Sequence, residues 1–321
     1  MNARFAGRLV VIAAVALVIA LLPFGLTNYH QGLGARVGVY FIAILGLNIL
    51  TGYTGQISIG HGAFMAIGGY TTAIMSHDHG TNLIATLPLA FAITFVCGLL
   101  VGVPALRFSG VYLALATFAL AVSVPQLPLK FSKFTGGSNG IRTATAPGNS
   151  WLYGVTWACA AIGFVGAWLL LRGRTGRAFR AVRDSELAAT SSGVALPIYK
   201  TLAFGISAAY AGVAGSLFVL ATAGFAQPNE FGIILSLEIL IGAAVAGLGS
   251  LWGVVVGAVF VGLLPEISAS VPVLGSGHGQ DVVFGLIVIA VMILLPNGFA
   301  GLLRLVESRF KTPIESDSTT S

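Results

Sequence analysis

The run Arg36-Val37-Gly38-Val39-Tyr40-Phe41-Ile42-Ala43-Ile44-Leu45-Gly46-Leu47-Asn48-Ile49-Leu50 carries one charge, at its first residue, and is otherwise almost wholly apolar. Similar runs recur at 9–26, 57–76, 83–106, 111–129, 151–171, 201–222, 231–248, 252–271 and 281–303. Most approach the roughly 20 residues that a helix needs to cross the hydrocarbon core. The pattern predicts an all-α integral membrane protein, a polytopic bundle of about ten transmembrane helices. One domain covers 1–303, and a polar tail covers 304–321.

Composition supports this reading. Hydrophobic residues make up 56% of the chain and charged residues 8%, against about 25% charged in soluble domains. So few charges cannot cover a water-facing surface, so lipid must cover part of it. The 43 glycines suit helices that pack closely in a bilayer. The net charge of +6 is read as topology; no basic run interleaved with aromatics suggests a nucleic-acid surface. Cys97 and Cys159 lie in apolar runs and read as small packing residues. The five histidines show no metal-ligand spacing, and no cofactor is implied. No paired carboxylates or activated nucleophile point to an enzyme. The basic and then apolar stretch 1–26 reads as an uncleaved first helix.

Orientation follows from Lys and Arg in the connections. Arg172, Arg174, Arg177, Arg180, Arg183 and Lys200 lie between the sixth and seventh runs, which makes that segment cytoplasmic. Counting outward places both termini in the cytoplasm, in agreement with Arg4, Arg8, Arg304 and Arg309. Lys130, Lys133 and Arg142 fall outside and run against the rule.

Two interruptions of the apolar pattern carry the functional interest. The first is Thr51-Gly52-Tyr53-Thr54-Gly55-Gln56-Ile57-Ser58-Ile59-Gly60-His61-Gly62-Ala63-Phe64. Irregular backbone at membrane depth is tolerated only where protein or a water-filled cavity covers it. Asn48, Gly52, Gly55, Gln56, Ser58 and His61 therefore face either a polar path for a small solute or the close packing of neighbouring helices. Both readings fit the residues. Glu238 lies within the eighth run, and an intramembrane acid is a functional candidate by default.

The second interruption is the basic segment 173–200. Residues 178–192 suit a short helix, with arginines first, acids later and Gly193 as its C-cap. Phe179, Val182 and Leu187 form an apolar edge that a partner protein could receive, with an interfacial helix on anionic lipid as the other reading.

These residues carry a specific resemblance. Thr51 to Phe64 resembles the signature that follows the second helix in the permease family of branched-chain amino acid ABC importers, the LivM/LivH type. Arg180-Ala181-Val182-Arg183-Asp184-Ser185-Glu186-Leu187-Ala188-Ala189, then Gly193 and Lys200-Thr201-Leu202-Ala203-Phe204, resembles the family's cytoplasmic coupling segment. Its Glu-Ala-Ala-x-x-x-Gly pattern is approximate here, because Leu187 intervenes. Leu237 to Gly253 resembles the late signature, and Thr135-Gly136-Gly137-Ser138-Asn139-Gly140-Ile141 the extracytoplasmic loop. The likeness is closer to the LivM type.

The resemblance implies a multi-pass permease subunit in a bacterial inner membrane, forming a path for branched-chain or related amino acids. It implies a second permease subunit of the LivH type, two ATP-binding ABC subunits and an extracytoplasmic substrate-binding protein as partners. Arg180, Arg183, Asp184, Glu186 and Gly193 would then couple to the ATPase. The chain has no Gly-x-x-x-x-Gly-Lys-Ser/Thr pattern, so ATP hydrolysis falls to the partners. Related permeases for urea, short amides or other small organic acids share much of the pattern. A secondary transporter is the remaining alternative. It needs intramembrane acids or ion sites, for which Glu238 is the one clear candidate.

Overall fold

The computed structural model describes residues 27–108 and 110–269, together with isolated positions between 285 and 301. The first apolar run, most of the tenth and the polar tail lie outside the described residues. The long helices are α1 (Asn28–Leu47), α2 (His61–His79), α3 (Leu83–Ala105) and α4 (Val111–Ser123). Two short turns, α5 (Leu127–Lys130) and α6 (Ser132–Thr135), lead to strand β1 (Ile141–Arg142). Then come α7 (Asn149–Arg172), α8 (Arg174–Asp184), α9 (Glu186–Ser191) and α10 (Leu196–Ala221). Strand β2 (Phe225–Ala226), α11 (Ile233–Ala246) and α12 (Gly253–Ala269) complete the order.

Six of the described segments are long and apolar enough to cross a membrane: Asn28–Gly52, Leu83–Ala105, Val111–Lys130, Asn149–Arg172, Leu196–Ala221 and Pro228–Ala246. The first begins eight residues earlier than the apolar run at Arg36 suggests. Its polar and glycine-containing start is tied to α7, where Asn149 Nδ2 donates to Asn28 O and Trp157 Nε1 to Gly34 O. Helix α2 begins at His61 rather than 57, because the backbone before it is not helical.

Helices α1 and α10 form the centre. About 83% of the apolar window of α1 and 72% of that of α10 is buried, against 28% for α3 and for α7. The outer helices therefore present apolar faces to lipid or to another subunit. Close backbone approach holds the centre together. A Cβ on Gly68 of α2 would lie 2.0 Å from Gly212 O of α10, and one on Gly215 would lie 2.0 Å from Met65 O. Ser216 Oγ then donates across the same contact to Gly68 O. Any larger residue would push these helices apart and forfeit dispersion contacts that lipid cannot replace.

The two strands pair antiparallel, Ile141 opposite Ala226 and Arg142 opposite Phe225. This small ribbon fixes the loop before α7 against the turn that leads into α11. It lies at the end of the bundle where α1 starts.

Candidate functional site

Two polar regions lie at opposite ends of α1. At its C-terminal end the helix widens into a π turn, Asn48–Gly52. Such turns displace backbone from the regular ladder and often mark functional sites. The Asn48 side chain fills the space: its Oδ1 accepts from Gly249 N (2.8 Å) and its Nδ2 donates to Ser250 O (2.9 Å). Asn48 thereby pins the turn between α11 and α12. Gly52 has no room for a side chain, since a Cβ there would sit 2.1 Å from Asn48 Oδ1 and 2.4 Å from Gly249 N. Its carbonyl accepts from Arg183 Nη1 (3.0 Å). Gly55 has a φ of +72° and lies against the Arg183 side chain. The basic segment is thus bonded to the end of α1 through Arg183. Nearby, burial pushes the Tyr53 phenol above its ordinary pKa, against the opposing pull of Arg180 and Arg183.

From this knot the chain runs without helix to His61, and its polar groups are tied as it goes. Thr51 Oγ1 donates to Gln56 O, and Gln56 Nε2 to Thr54 Oγ1 and Lys200 O. Ile59 N donates to Thr117 Oγ1 of α4, Gly60 N to Ser58 Oγ, and Gly62 N to Ser236 Oγ of α11. Ser207 Oγ donates its one proton to Gly46 O (2.8 Å) and sits 2.9 Å from His61 Nε2. His61 must then be the donor at Nε2, which leaves Nδ1 unprotonated, and that buried atom has no hydrogen-bond partner among the described residues. Asn48, Gln56 and Ser58 are all buried and bonded within the chain.

The basic segment differs from the single helix expected over 178–192. It is two helices broken at Ser185, whose extended backbone (φ −164°) and side chain cap α9 by accepting from Ala188 N. Gly193 does end the segment. Its φ is +81°, Gly193 N donates to Thr190 O and Val194 N to Ala189 O, a Schellman closure. The expected apolar edge is divided. Phe179 and Val182 are buried against the chain's own core, with Phe179 edge-on to Tyr199, while Leu187 is 84% exposed. Helix α8 has its apolar side turned inward, so only Leu187 of the three is open to a partner. Arg180 Nη1 donates to Leu171 O, and Arg183 pairs with Asp184. Glu186 pairs with Lys200 Nζ at 2.6 Å, joining α9 to α10.

At the other end of α1 a cleft of about 740 Å³ opens between α1, α7, α10, α11 and α12. Its polar lining includes Arg36, Glu230, Glu238 and Glu266. Tyr40 donates to Glu238 Oε2 at 2.5 Å, and Tyr29 donates to Glu266. Glu238 is the one sequence-derived site residue in this cleft; Asn48, Gly52, Gly55, Gln56, Ser58 and His61 do not line it. The apolar pattern places Arg36 at the edge of its run, where an arginine is unremarkable. With the helix beginning at Asn28, Arg36 lies about 12 Å along its axis, at 1.5 Å per residue. An arginine that deep is itself a site signal.

The family described as "Branched-chain amino acid transport system / permease component" matches residues 31–295. The chain belongs to this family. Members with the same pattern include the high-affinity branched-chain amino acid transport system permease protein LivM of Salmonella typhimurium, 32% identical over 276 residues (76% of this chain, 65% of the relative). LivM of Escherichia coli is 32% identical over 291 residues, 81% of this chain and 68% of the relative. LivH of Escherichia coli is 24% identical over 293 residues, 84% of this chain and 93% of the relative. The chain thus spans about two thirds of the length of the LivM proteins it matches. No solved structure matches. The region matched by this permease family takes in the Asn48 knot and every cleft-lining residue but Tyr29.

Proposed function

We propose that this chain is the permease subunit of an ABC importer and forms part of the path for branched-chain amino acids. The observation that carries this is the bond from Arg183 to Gly52 O. It ties a basic segment, which has no other evident reason for its order, to the turn held by Asn48. Movement of that segment is then felt by α1 and by the α11–α12 turn, the elements that bear Arg36, Tyr40 and Glu238 at the far end.

In this account two ATP-binding subunits close on ATP and shift α8 and α9, with Arg180, Asp184, Glu186 and Gly193 holding the segment's shape. A second permease of the LivH type completes the path, and an extracytoplasmic binding protein delivers the substrate. The two states are driven apart only because the contacts of the knot differ between them. Asn48, Gly52, Gly55, Gln56, Ser58 and His61 frame the path, and Glu238 lines it. The chain would have about ten spans with both ends in the cytoplasm of a bacterial inner membrane. Residues 1–303 would form one domain, with 173–200 as the coupling segment and 304–321 as a tail.

Uptake of labelled leucine in cells that hold the complete importer tests this. Uptake should vanish when either the binding protein or the ATPase subunits are deleted. Leucine uptake by this chain alone would sink the assignment in favour of a secondary transporter.

A further inference from the structure

The basic segment is two helices, α8 and α9, separated by the extended residue Ser185. Arg183 ties only the first of them to the end of α1. Helix α9 stands largely in the open; of its six residues Ala189 is buried. Thr190 and Ser191 donate to carbonyls of the same helix, Glu186 O and Leu187 O. Glu186 reaches outward instead, and its Oε1 lies 2.6 Å from Lys200 Nζ of α10. The two partners are unequal: the acid side chain is 51% exposed and the lysine 11%. An ammonium that has lost most of its water needs a counter-charge where it sits, whereas a half-exposed carboxylate does not. Lys200 is also seated on a rigid element, because α10 belongs to the buried centre of the bundle. The lysine therefore fixes where Glu186 stands, and α9 with it. On the backbone side, Lys200 O accepts from Gln56 Nε2 at 3.4 Å. One residue thereby meets both the basic segment and the non-helical stretch before His61.

We propose that Lys200 is a positioning residue for transport: it holds α9 through Glu186 and, through its carbonyl, the stretch at Gln56. The segment then has two attachments, one on each side of the break at Ser185. Arg183 joins α8 to Gly52, and Lys200 joins α9 to Gln56. With Arg183 alone, α9 is free to pivot at Ser185 without moving the end of α1. With both, the two helices move together against residues 52–56. This role rests on the permease reading of the chain and adds a second point of transmission to it.

The test uses the complete importer in lipid vesicles, with ATP hydrolysis and leucine uptake read in the same sample. Lys200→Met keeps an unbranched stem, removes the charge and leaves the carbonyl to Gln56 in place. Uptake per ATP is expected to fall severalfold. Glu186→Gln is expected to give the same fall, and the two together no more than either alone, since both break one contact. Lys200→Arg should keep most of the ratio. If Lys200→Met fails to reach the membrane, Lys200→Gln takes its place in the cycle. An unchanged ratio in either single variant overturns the proposal, whatever the membrane levels, because the pair then serves the fold alone. So does a double variant that falls by the product of the single effects, since Glu186 and Lys200 then act separately. Failure of the permease reading shows differently, as an unsubstituted importer that takes up no leucine.

Discussion

The two ends of α1 treat polar groups in opposite ways. At the Gly52 end nearly every polar atom is answered from within the chain: Asn48 by Gly249 and Ser250, Gly52 by Arg183, Gln56 by Thr54 and Lys200. At the Asn28 end the walls stand apart, Arg36 is exposed and Glu230 keeps an unanswered oxygen. A region with its hydrogen bonds closed is suited to carry force. A region whose walls stand apart and carry charged groups is suited to receive a ligand. The same helix joins them, which gives the permease a mechanical end and a chemical end.

Substitutions at the mechanical end should be the more damaging to folding. Gly52→Val is expected to remove the protein from the membrane fraction, since its side chain would overlap Asn48 Oδ1 and Gly249 N. Immunoblots of membranes check this, and normal levels would mean that the π turn relaxes freely. Asn48→Ala leaves two backbone groups without partners, each worth about 1–3 kcal/mol when buried. It should lower the thermal unfolding midpoint of the purified chain clearly, whereas Asn48→Asp keeps the acceptor for Gly249 N and should lose less.

At the chemical end the effects fall on transport. Glu238→Gln keeps the size of the side chain and an oxygen that can accept from Tyr40. It should leave membrane levels intact and reduce leucine uptake, with Tyr40→Phe reducing it less. Equal uptake in both variants would separate this pair from the path. The smallest effect is expected at the surface. Asp184 is about two thirds exposed where it meets Arg183, and exposed pairs contribute about 0–1 kcal/mol. Asp184→Asn should barely move the unfolding midpoint.

The sequence made one end legible and hid much of the other. The glycine-rich stretch from Thr51 stood out because it broke an apolar pattern, and its position beside a π turn agrees with that. Its partners did not stand out. Ser207, Ser236 and Thr117 are single hydroxyls in apolar runs, and nothing local tells which of them meets His61, Gly62 or Ile59. Phe179 and Val182 read as an edge for a partner because spacing shows a face without showing what lies against it; the chain's own core covers them. Arg36 was hidden by a boundary error. Residues 28–35 nevertheless form helix, tied to α7 through Asn149 and Trp157. Glu238 was legible as an acid in a span, whereas the buried, unpaired oxygen of Glu230 shows only in the structure.

The link between the two ends rests on Arg183. The complete importer, reconstituted in lipid vesicles, allows ATP hydrolysis and leucine uptake to be measured in the same sample with and without Arg183→Ala. Hydrolysis should persist while uptake per ATP falls severalfold, because the segment still docks but no longer pulls on Gly52 O. An unchanged ratio of uptake to hydrolysis would contradict the account.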